Sequence, residues 1–139
     1  MSDSNVAQHI INLKTMPGVG YWWSANFFVI TNGFHNLSYR KIACYVGIVP
    51  HEYTSGTSVK KHPRSDRKGS DRMRKALYLS SMSVIRLDGK LRTQYLNTIA
   101  RGKPKRLAQN NIAAKMLKIA CAIVRDGKPY EPTHKSINS

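Results

Sequence analysis

The sequence predicts an all-α fold, in a single domain that covers residues 1–139. Apolar residues recur at helical spacing in most segments, whereas no segment keeps the strict alternation that is typical of strands. Glycine, proline, Asn-Gly and Asp-Gly separate the periodic segments, as expected where helices end. Hydrophobic residues make up 41% of the 139 residues, which is enough for a folded core and argues against disorder.

The first region, residues 6–47, contains three predicted helices. The first two are joined by Pro17-Gly18-Val19-Gly20, where the proline stops a helix and the glycines permit a tight turn. Each of the three helices is expected to begin and end at residues that commonly cap or terminate helices. The predicted bounds are 6–16 with Ser4 as the cap, 21–31 ended by Asn32-Gly33, and Ser38 up to Gly47.

The second region, residues 48–69, is predicted to be a long basic loop. It has almost no apolar periodicity and is rich in Ser, Thr, Gly, Pro, Lys and Arg. Loops longer than about 15 residues in a compact domain are usually functional or disordered. This one places the pair Ser55-Gly56 ahead of most of its cations.

The third region, residues 70–127, is predicted to be a bundle of about three further helices, followed by a polar tail at 128–139. Ser70 is expected to cap the first helix, Pro104 fits the first turn of the last, and Gly127 ends it. The wide apolar face of the last helix predicts that it is central and well buried. The predicted inward residues are Met73, Ala76, Leu77, Ser80 and Val84 in the first helix, Leu91, Tyr95, Leu96 and Ile99 in the second, and Ile112, Met116, Ile119, Ala120 and Ile123 in the third, with Ala113, Leu117, Cys121 and Val124 beside them.

The charge of the chain restricts the class of partner. The formal net charge is +16, from 23 basic and 7 acidic residues, so the protein is expected to attract polyanions with a strong salt dependence. Nucleic acid is the first candidate. An anionic membrane is the second, but the cations gather mainly in connections rather than on a helix face opposite an apolar one. No apolar run approaches the roughly 20 residues that span a bilayer, so no membrane partner is expected.

The expected compartment is the cytoplasm, in association with the nucleoid. The N-terminus has no basic region followed by an apolar one, so no secretory signal is predicted. Cys44 and Cys121 each lie among apolar residues in helical segments. We expect both to be small buried hydrophobes in a reducing compartment rather than a disulfide or a metal site.

The turn at Gly18 and Gly20 is a candidate anion site. Its glycines would let backbone N–H groups point outward together at a helix N-terminus. The arrangement is similar to a helix-hairpin-helix motif, which grips the DNA backbone without reading sequence. The alternative is a tight turn that happens to use glycine and proline, and four residues alone favour that alternative. The net charge shifts the balance toward DNA.

Ser55 is the candidate nucleophile. A serine that attacks a phosphodiester needs activation by a base, a lowered pKa or a metal, and cations to hold the transferring phosphate. The cations are abundant, but no base is obvious, because His51 and His62 lie in a basic loop where histidines are usually exposed. The spacing alone leaves Ser55 a weak candidate beside the ordinary role of a solvated loop serine.

The carboxylates argue against a self-contained metal site. Two-metal phosphodiester chemistry needs several Asp or Glu residues that converge on a pair of ions. The seven acidic residues of this chain are scattered, mostly in turns or beside basic neighbours. No metal ligands are therefore assigned, and a chain that cuts DNA would use Ser55 or borrow metals from elsewhere.

The basic residues form the predicted DNA-binding set. Runs of charge are usually solvated faces, but the acidic residues that normally balance such faces are missing here. Each Lys or Arg placed on a phosphate would displace about one counterion. The residues assigned to DNA binding are Gly18, Gly20, Lys60, Lys61, Arg64, Arg67, Lys68, Arg72, Lys103 and Lys105.

Several spaced motifs resemble one known family. The motifs, in order along the chain, are residues 17–20 (Pro-Gly-Val-Gly), Arg40 to Pro50, Ser55-Gly56-Thr57-Ser58, Arg74-Lys75-Ala76-Leu77, Ala100 to Lys105 and Val124 to Tyr130. Together they resemble the C-terminal transposase domain of the insertion-sequence one-ten family, which has Piv-type DNA invertases as relatives. The resemblance covers roughly residues 10–130.

The resemblance implies a DNA recombinase that moves its element by strand exchange. Full-length members look bipartite, with an N-terminal RuvC-like domain whose carboxylates bind divalent metal, expected to be Mg²⁺. An element-encoded guide RNA is a further implied partner. Ser55 matches the expected nucleophile, which forms a phosphoserine link to DNA beside the metal centre of the RuvC-like domain of the same or another protomer. The full-length protein is then expected to be a homo-oligomer, and the chain on its own to be an inactive fragment.

The chain departs from the family pattern in two places. Relatives commonly have an apolar residue and then Ser before Gly69, and Asn after it, whereas this chain has Ser65, Asp66 and Ser70. Ser58 and Ser65 therefore remain rivals of Ser55. The RuvC-like half is absent, so the chain looks like an excised domain or a truncated product. The alternatives to a serine transposase domain are a non-catalytic helix-hairpin-helix DNA-binding module and an RNA-binding protein that uses the same loop.

Overall fold

The structure, a computed structural model, describes residues 3–48 and 67–131. These residues form six helices and no strand, so the all-α prediction is confirmed. The loop residues between 49 and 66 and the tail from 132 onward lie outside the described part. The helices are α1 (Asp3–Leu13), α2 (Tyr21–Ile30), α3 (Tyr39–Val46), α4 (Arg67–Val84), α5 (Lys90–Ala100) and α6 (Lys105–Asp126).

The α6 helix is the centre of the fold, as its wide apolar face predicts. It contacts α1, α3, α4 and α5, while α2 packs on α4 and α1. The predicted inward residues of α4 and α6 are all buried, so both faces are confirmed. Residues of every helix share one hydrophobic core, and Tyr130 closes it by donating its backbone N–H to Thr15 Oγ1 at 2.7 Å.

A polar contact lies inside this core where α2 crosses α4. The indole of Trp23 donates to Ser80 Oγ at 3.1 Å, and the Ser80 hydroxyl in turn reaches the carbonyl of Leu77 at 3.0 Å. Both residues are buried, so each group would be costly to leave without a partner. Ser80 therefore belongs on the inward face, although it is polar.

Three predicted helix starts or ends are wrong. The α1 helix begins at Asp3 and ends at Leu13, so Ser4 lies inside it and is not a cap, and residues 14–16 are already in the turn. The α4 helix begins at Arg67, so the predicted loop of 48–69 is three residues too long at that end. Ser70 consequently lies within α4 and does not cap its N-terminus. By contrast, Ser38 caps α3 by accepting from the Lys41 N–H, and Gly47 and Gly127 end α3 and α6 in the left-handed conformation, as predicted.

Two side chains predicted to be buried are exposed instead. Leu96 is 47% exposed, because α5 packs only through a narrow face that buries Leu91 and Thr98, seven residues apart. Cys44 is exposed because the buried face of α3 is formed by Ile42, Ala43 and Val46. Cys121 is buried as predicted, and burial raises the pKa of its thiol to about 12, which keeps it protonated and unreactive.

Candidate nucleic-acid interface

The described residues on either side of the predicted reactive segment lie at one place in the fold. Ser55, Lys60, Lys61 and Arg64 lie outside the described residues. The chain on either side of them is described, and it meets where the C-terminal end of α3 contacts the first turns of α4. We call this place the α3–α4 junction and define it by Tyr45, Gly47, Ile48, Gly69 and Ser70.

The junction is held by one partly buried hydrogen bond and by close packing. The Ser70 hydroxyl donates to the carbonyl of Tyr45 at 2.7 Å and so satisfies one of the open carbonyls at the end of α3. A Cβ placed at Gly69 would lie 3.5 Å from the Tyr45 hydroxyl. Ile48, which follows α3, is 1% exposed. Both neighbours of residues 49–66 are therefore fixed against each other by α3 and α4.

The first turns of α4 carry an excess of positive charge. The α4 sequence begins Arg67-Lys68-Gly69-Ser70-Asp71-Arg72, and no acidic residue lies in its first turn. A helix N-terminus already carries a partial positive charge, so cations there add to an electropositive end that favours anions. The side chains of Arg67 and Lys68 lie outside the described part of the structure. Arg72 is exposed on the helix surface.

Arg74 connects this end of α4 to α3. Its guanidinium pairs with Asp71 at 2.6 Å, and its Nη1 would lie 3.2 Å from a Cβ at Gly47. Gly47 has a φ of 86°, so glycine suits this position for conformational as well as steric reasons. Arg74 is thus partly neutralised and packed over the end of α3, whereas Arg72 faces solvent.

The two glycines of the hairpin turn, residues 14–20, have different surroundings. Gly18 has a φ of 79°, and a Cβ there would lie 2.8 Å from Val84 Cγ2 and 2.9 Å from the Ser80 carbonyl oxygen. Gly18 therefore lets the turn approach the backbone of α4. Gly20 precedes α2 in an extended conformation, and a Cβ there would meet nothing within 4 Å. Contact of either glycine with DNA remains a prediction, and Gly20 is the one with open space beside it.

Lys103 and Lys105 lie at a separate place, in and beside the turn between α5 and α6. Both are exposed, as are their neighbours Arg101 and Arg106. Among the described residues, ion pairs join Arg74 to Asp71, Arg92 to Asp88 and Arg125 to Asp126, and none involves this turn. Its positive charge is thus available to a phosphate.

A surface groove that the sequence does not reveal lies beside the junction. Its volume is about 480 Å³, and it opens between the end of α2 and the outer side of α3. Tyr45 lines this groove, and its carbonyl belongs to the α3–α4 junction, so the two share one residue. The lining residues are Ile30, His35, Asn36, Leu37, Ser38, Lys41, Ile42 and Tyr45, which combine three aliphatic side chains with one cation, two aromatic rings and two small polar groups.

The described part of the chain contains neither a cluster of metal-ligating side chains nor a membrane-spanning helix. No group of three or more His, Cys, Asp or Glu side chains within residues 3–48 and 67–131 could hold a metal ion. In the same residues, no helix is both long enough and apolar enough to cross a membrane.

Comparison with known proteins assigns the family. Residues 11–96 match the family model described as the transposase IS116/IS110/IS902 family. The chain belongs to this transposase family. The match includes α2, α3 and α4 and therefore both sides of the α3–α4 junction. The resemblance seen in the sequence motifs is confirmed.

Individual relatives agree with the family match. The chain is 32% identical over 120 residues to the insertion element IS110 43.6 kDa protein of Streptomyces coelicolor, which covers 86% of this chain and 29% of that protein. It is 31% identical over 130 residues to the insertion element IS900 42 kDa protein of Mycobacterium paratuberculosis, covering 90% of this chain and 32% of that protein. A pilin gene-inverting protein of Moraxella lacunata is 26% identical over 121 residues, which cover 86% of this chain and 38% of that protein. This member of the transposase family thus spans about a third of the length of these relatives.

Proposed function

We propose that this chain is the DNA-binding, serine-bearing domain of an insertion-sequence transposase. In this proposal the helical frame binds DNA through its cations, and Ser55 acts on a phosphodiester beside the α3–α4 junction. The divalent metal would be held by a RuvC-like domain outside this chain, in the same or another protomer. An element-encoded RNA would guide the choice of DNA sites.

The chemistry follows from the groups that the proposal brings together. The Ser55 hydroxyl attacks phosphorus and forms a phosphoserine bond, while the bond from phosphorus to one deoxyribose oxygen breaks. The serine proton ends on the departing oxygen, and a later attack by a DNA hydroxyl on the phosphoserine reverses the step with exchanged strands. Nearby cations stabilise the charge that develops on the phosphoryl oxygens.

The observation that supports this proposal best is the α3–α4 junction. The hydrogen bond from Ser70 to Tyr45 at 2.7 Å ties together the two helices from which residues 49–66 emerge. The electropositive first turns of α4 and the groove beside Tyr45 lie at the same place. A phosphodiester drawn to this surface would be close to both attachment points of the segment that carries Ser55.

The proposal predicts that the chain binds DNA but does not cut it alone. The affinity of the purified chain for a DNA duplex should fall steeply with salt, with a slope of about −0.9 in log K for each phosphate neutralised. Substitution of Lys60, Lys61 and Arg64 by Gln should make the slope shallower by about 2–3. Titration by fluorescence anisotropy at several salt concentrations measures both quantities.

The same preparation tests the division of labour. Incubation with DNA and Mg²⁺ should leave the strands intact, because the seven acidic residues are scattered along the sequence and residues 3–48 and 67–131 contain no group that could hold a metal ion. Repeated strand cleavage by the chain alone would contradict the proposed need for a RuvC-like domain. A salt slope near zero would contradict the proposed binding to the phosphate backbone.

A further inference from the structure

From Asn111 to Arg125, the central helix α6 exposes a single narrow line of residues. In this range, the positions that are not buried follow one another in steps of four, three, four and three residues. This spacing places them on one face of a helix, over a length of about 21 Å. We call this line the α6 stripe; its members are Asn111, Lys115, Lys118, Ala122 and Arg125. Three of the five are cations.

Lys90 extends this positive charge from the neighbouring helix. It is the first residue of α5, which packs on α6, and it lies close enough to Lys115 to lower the pKa of that ammonium group. Burial is the largest cause of the lowered pKa of Lys115, followed by the charges of Lys118 and Lys90. The fold therefore keeps a half-buried lysine beside two other lysines, which is unfavourable in the absence of an anion.

The surroundings of Lys90 and Lys115 differ from those of the arginines that form ion pairs. Arg74 pairs with Asp71 on the same helix, and Arg92 pairs with Asp88, which lies just before α5. Neither Lys90 nor Lys115 forms an ion pair with another described residue. A ligand that brings several negative charges in a row would offset the repulsion among the three lysines.

We propose that the α6 stripe, with Lys90, is a second binding surface for the sugar-phosphate backbone of nucleic acid. Residues 49–66 lead into the N-terminal end of α4, whereas Lys90 follows its C-terminal end, and the 18 residues of α4 separate these two ends by about 27 Å. The Lys90 end of this surface is therefore distant from the α3–α4 junction. The inference rests on the proposed function for the nature of the polyanion.

Acetylation of lysines in the intact chain tests this proposal without a change in the amino-acid sequence. The chain is treated with an acetylating reagent alone, with a mixed-sequence DNA duplex, and with a single-stranded RNA, and modified peptides are measured by mass spectrometry. Acetylation of Lys90, Lys115 and Lys118 should fall several-fold when the bound nucleic acid is present. Lys128, which is exposed after the end of α6 and is assigned to no binding surface, should keep its reactivity. Protection by DNA or by RNA identifies which of the two occupies the stripe.

Charge-matched variants provide a second test of the proposed binding surface. Lys115→Gln with Lys118→Gln should make the salt slope shallower by about 2, whereas Arg86→Gln with Lys128→Gln, which removes the same charge from exposed positions, should leave the slope nearly unchanged. The stripe variant should be at least as stable as the unaltered chain in urea denaturation, because it removes a half-buried cation. This readout distinguishes a binding role from a structural one.

Three outcomes would overturn the inference. If the stripe variant binds as the control variant does, while the variant of Lys60, Lys61 and Arg64 loses affinity, the stripe is not a binding surface and the proposed function stands. If the stripe lysines stay reactive in the saturated complex, no strand lies along them. If the chain binds neither DNA nor RNA, both the inference and the proposed function fail.

Discussion

The hairpin turn of residues 14–20 and the α3–α4 junction are both glycine-containing connections that pack on α4, and they differ in what they contact. A Cβ added at Gly18 would lie 2.9 Å from the carbonyl oxygen of Ser80, which is backbone and cannot move aside. A Cβ added at Gly47 or Gly69 would meet the end of a side chain instead, Arg74 at 3.2 Å or Tyr45 at 3.5 Å. The turn is therefore fixed by the shape of α4, whereas the junction depends on one hydrogen bond and on adjustable side chains.

The largest expected effect is that of Gly18→Ala. The left-handed backbone costs an alanine about 1–2 kcal/mol, and the clash with Ser80 and Val84 adds about 1–3 kcal/mol. The free energy of unfolding should fall by about 2–5 kcal/mol. Urea denaturation followed by circular dichroism measures this loss.

Gly69→Ala is the matched control for that substitution. Gly69 lies inside α4, and a Cβ there would make an ordinary contact with the Tyr45 hydroxyl. Alanine should therefore stabilise the protein by up to about 1 kcal/mol, through its better helix propensity. If both glycines gave losses of the same size, the contrast between turn and junction would be wrong.

The hydrogen bond at the junction has an intermediate expected effect. Ser70→Ala removes the donor to the Tyr45 carbonyl and should cost about 1–2 kcal/mol, because that carbonyl is then left without its partner. Amide hydrogen exchange should also accelerate in the last turn of α3. Ser83→Ala, at an exposed position of the same helix, should change the unfolding free energy by less than about 0.5 kcal/mol. Equal stability of the two variants would mean that Ser70 does not hold the junction.

The contrast between these regions also explains what sequence could predict. The inward faces of α4 and α6 follow from helical periodicity, because each helix buries a wide face and the pattern is strong. The buried face of α5 is narrow, so the apolar pattern wrongly predicted that Leu96 would be buried. The helix ends at Ser38, Gly47 and Gly127 depend on local chemistry and were predicted correctly.

Contacts between distant residues were beyond the reach of the sequence. Ser70 is a residue type that commonly caps helices, but its hydroxyl donates to a carbonyl 25 residues earlier in the chain. Gly18 is a residue type that is common in anion-binding turns, but α4 determines its surroundings. The groove beside Tyr45 and the stripe on α6 arise from packing between elements. Recognition of the family was possible because several short motifs keep their order over most of the chain.

The most direct test of the account is the covalent link between protein and DNA. Full-length transposase that carries this domain is incubated with element-end DNA and Mg²⁺, and the adduct is measured on a denaturing gel and mapped by mass spectrometry. The account predicts that Ser55→Ala abolishes the adduct and leaves DNA binding intact, that Ser58→Ala and Ser65→Ala retain it, and that the unaltered protein carries the nucleotide on Ser55. An adduct of normal yield in the Ser55→Ala protein, or a nucleotide on Ser58 or Ser65, would contradict it.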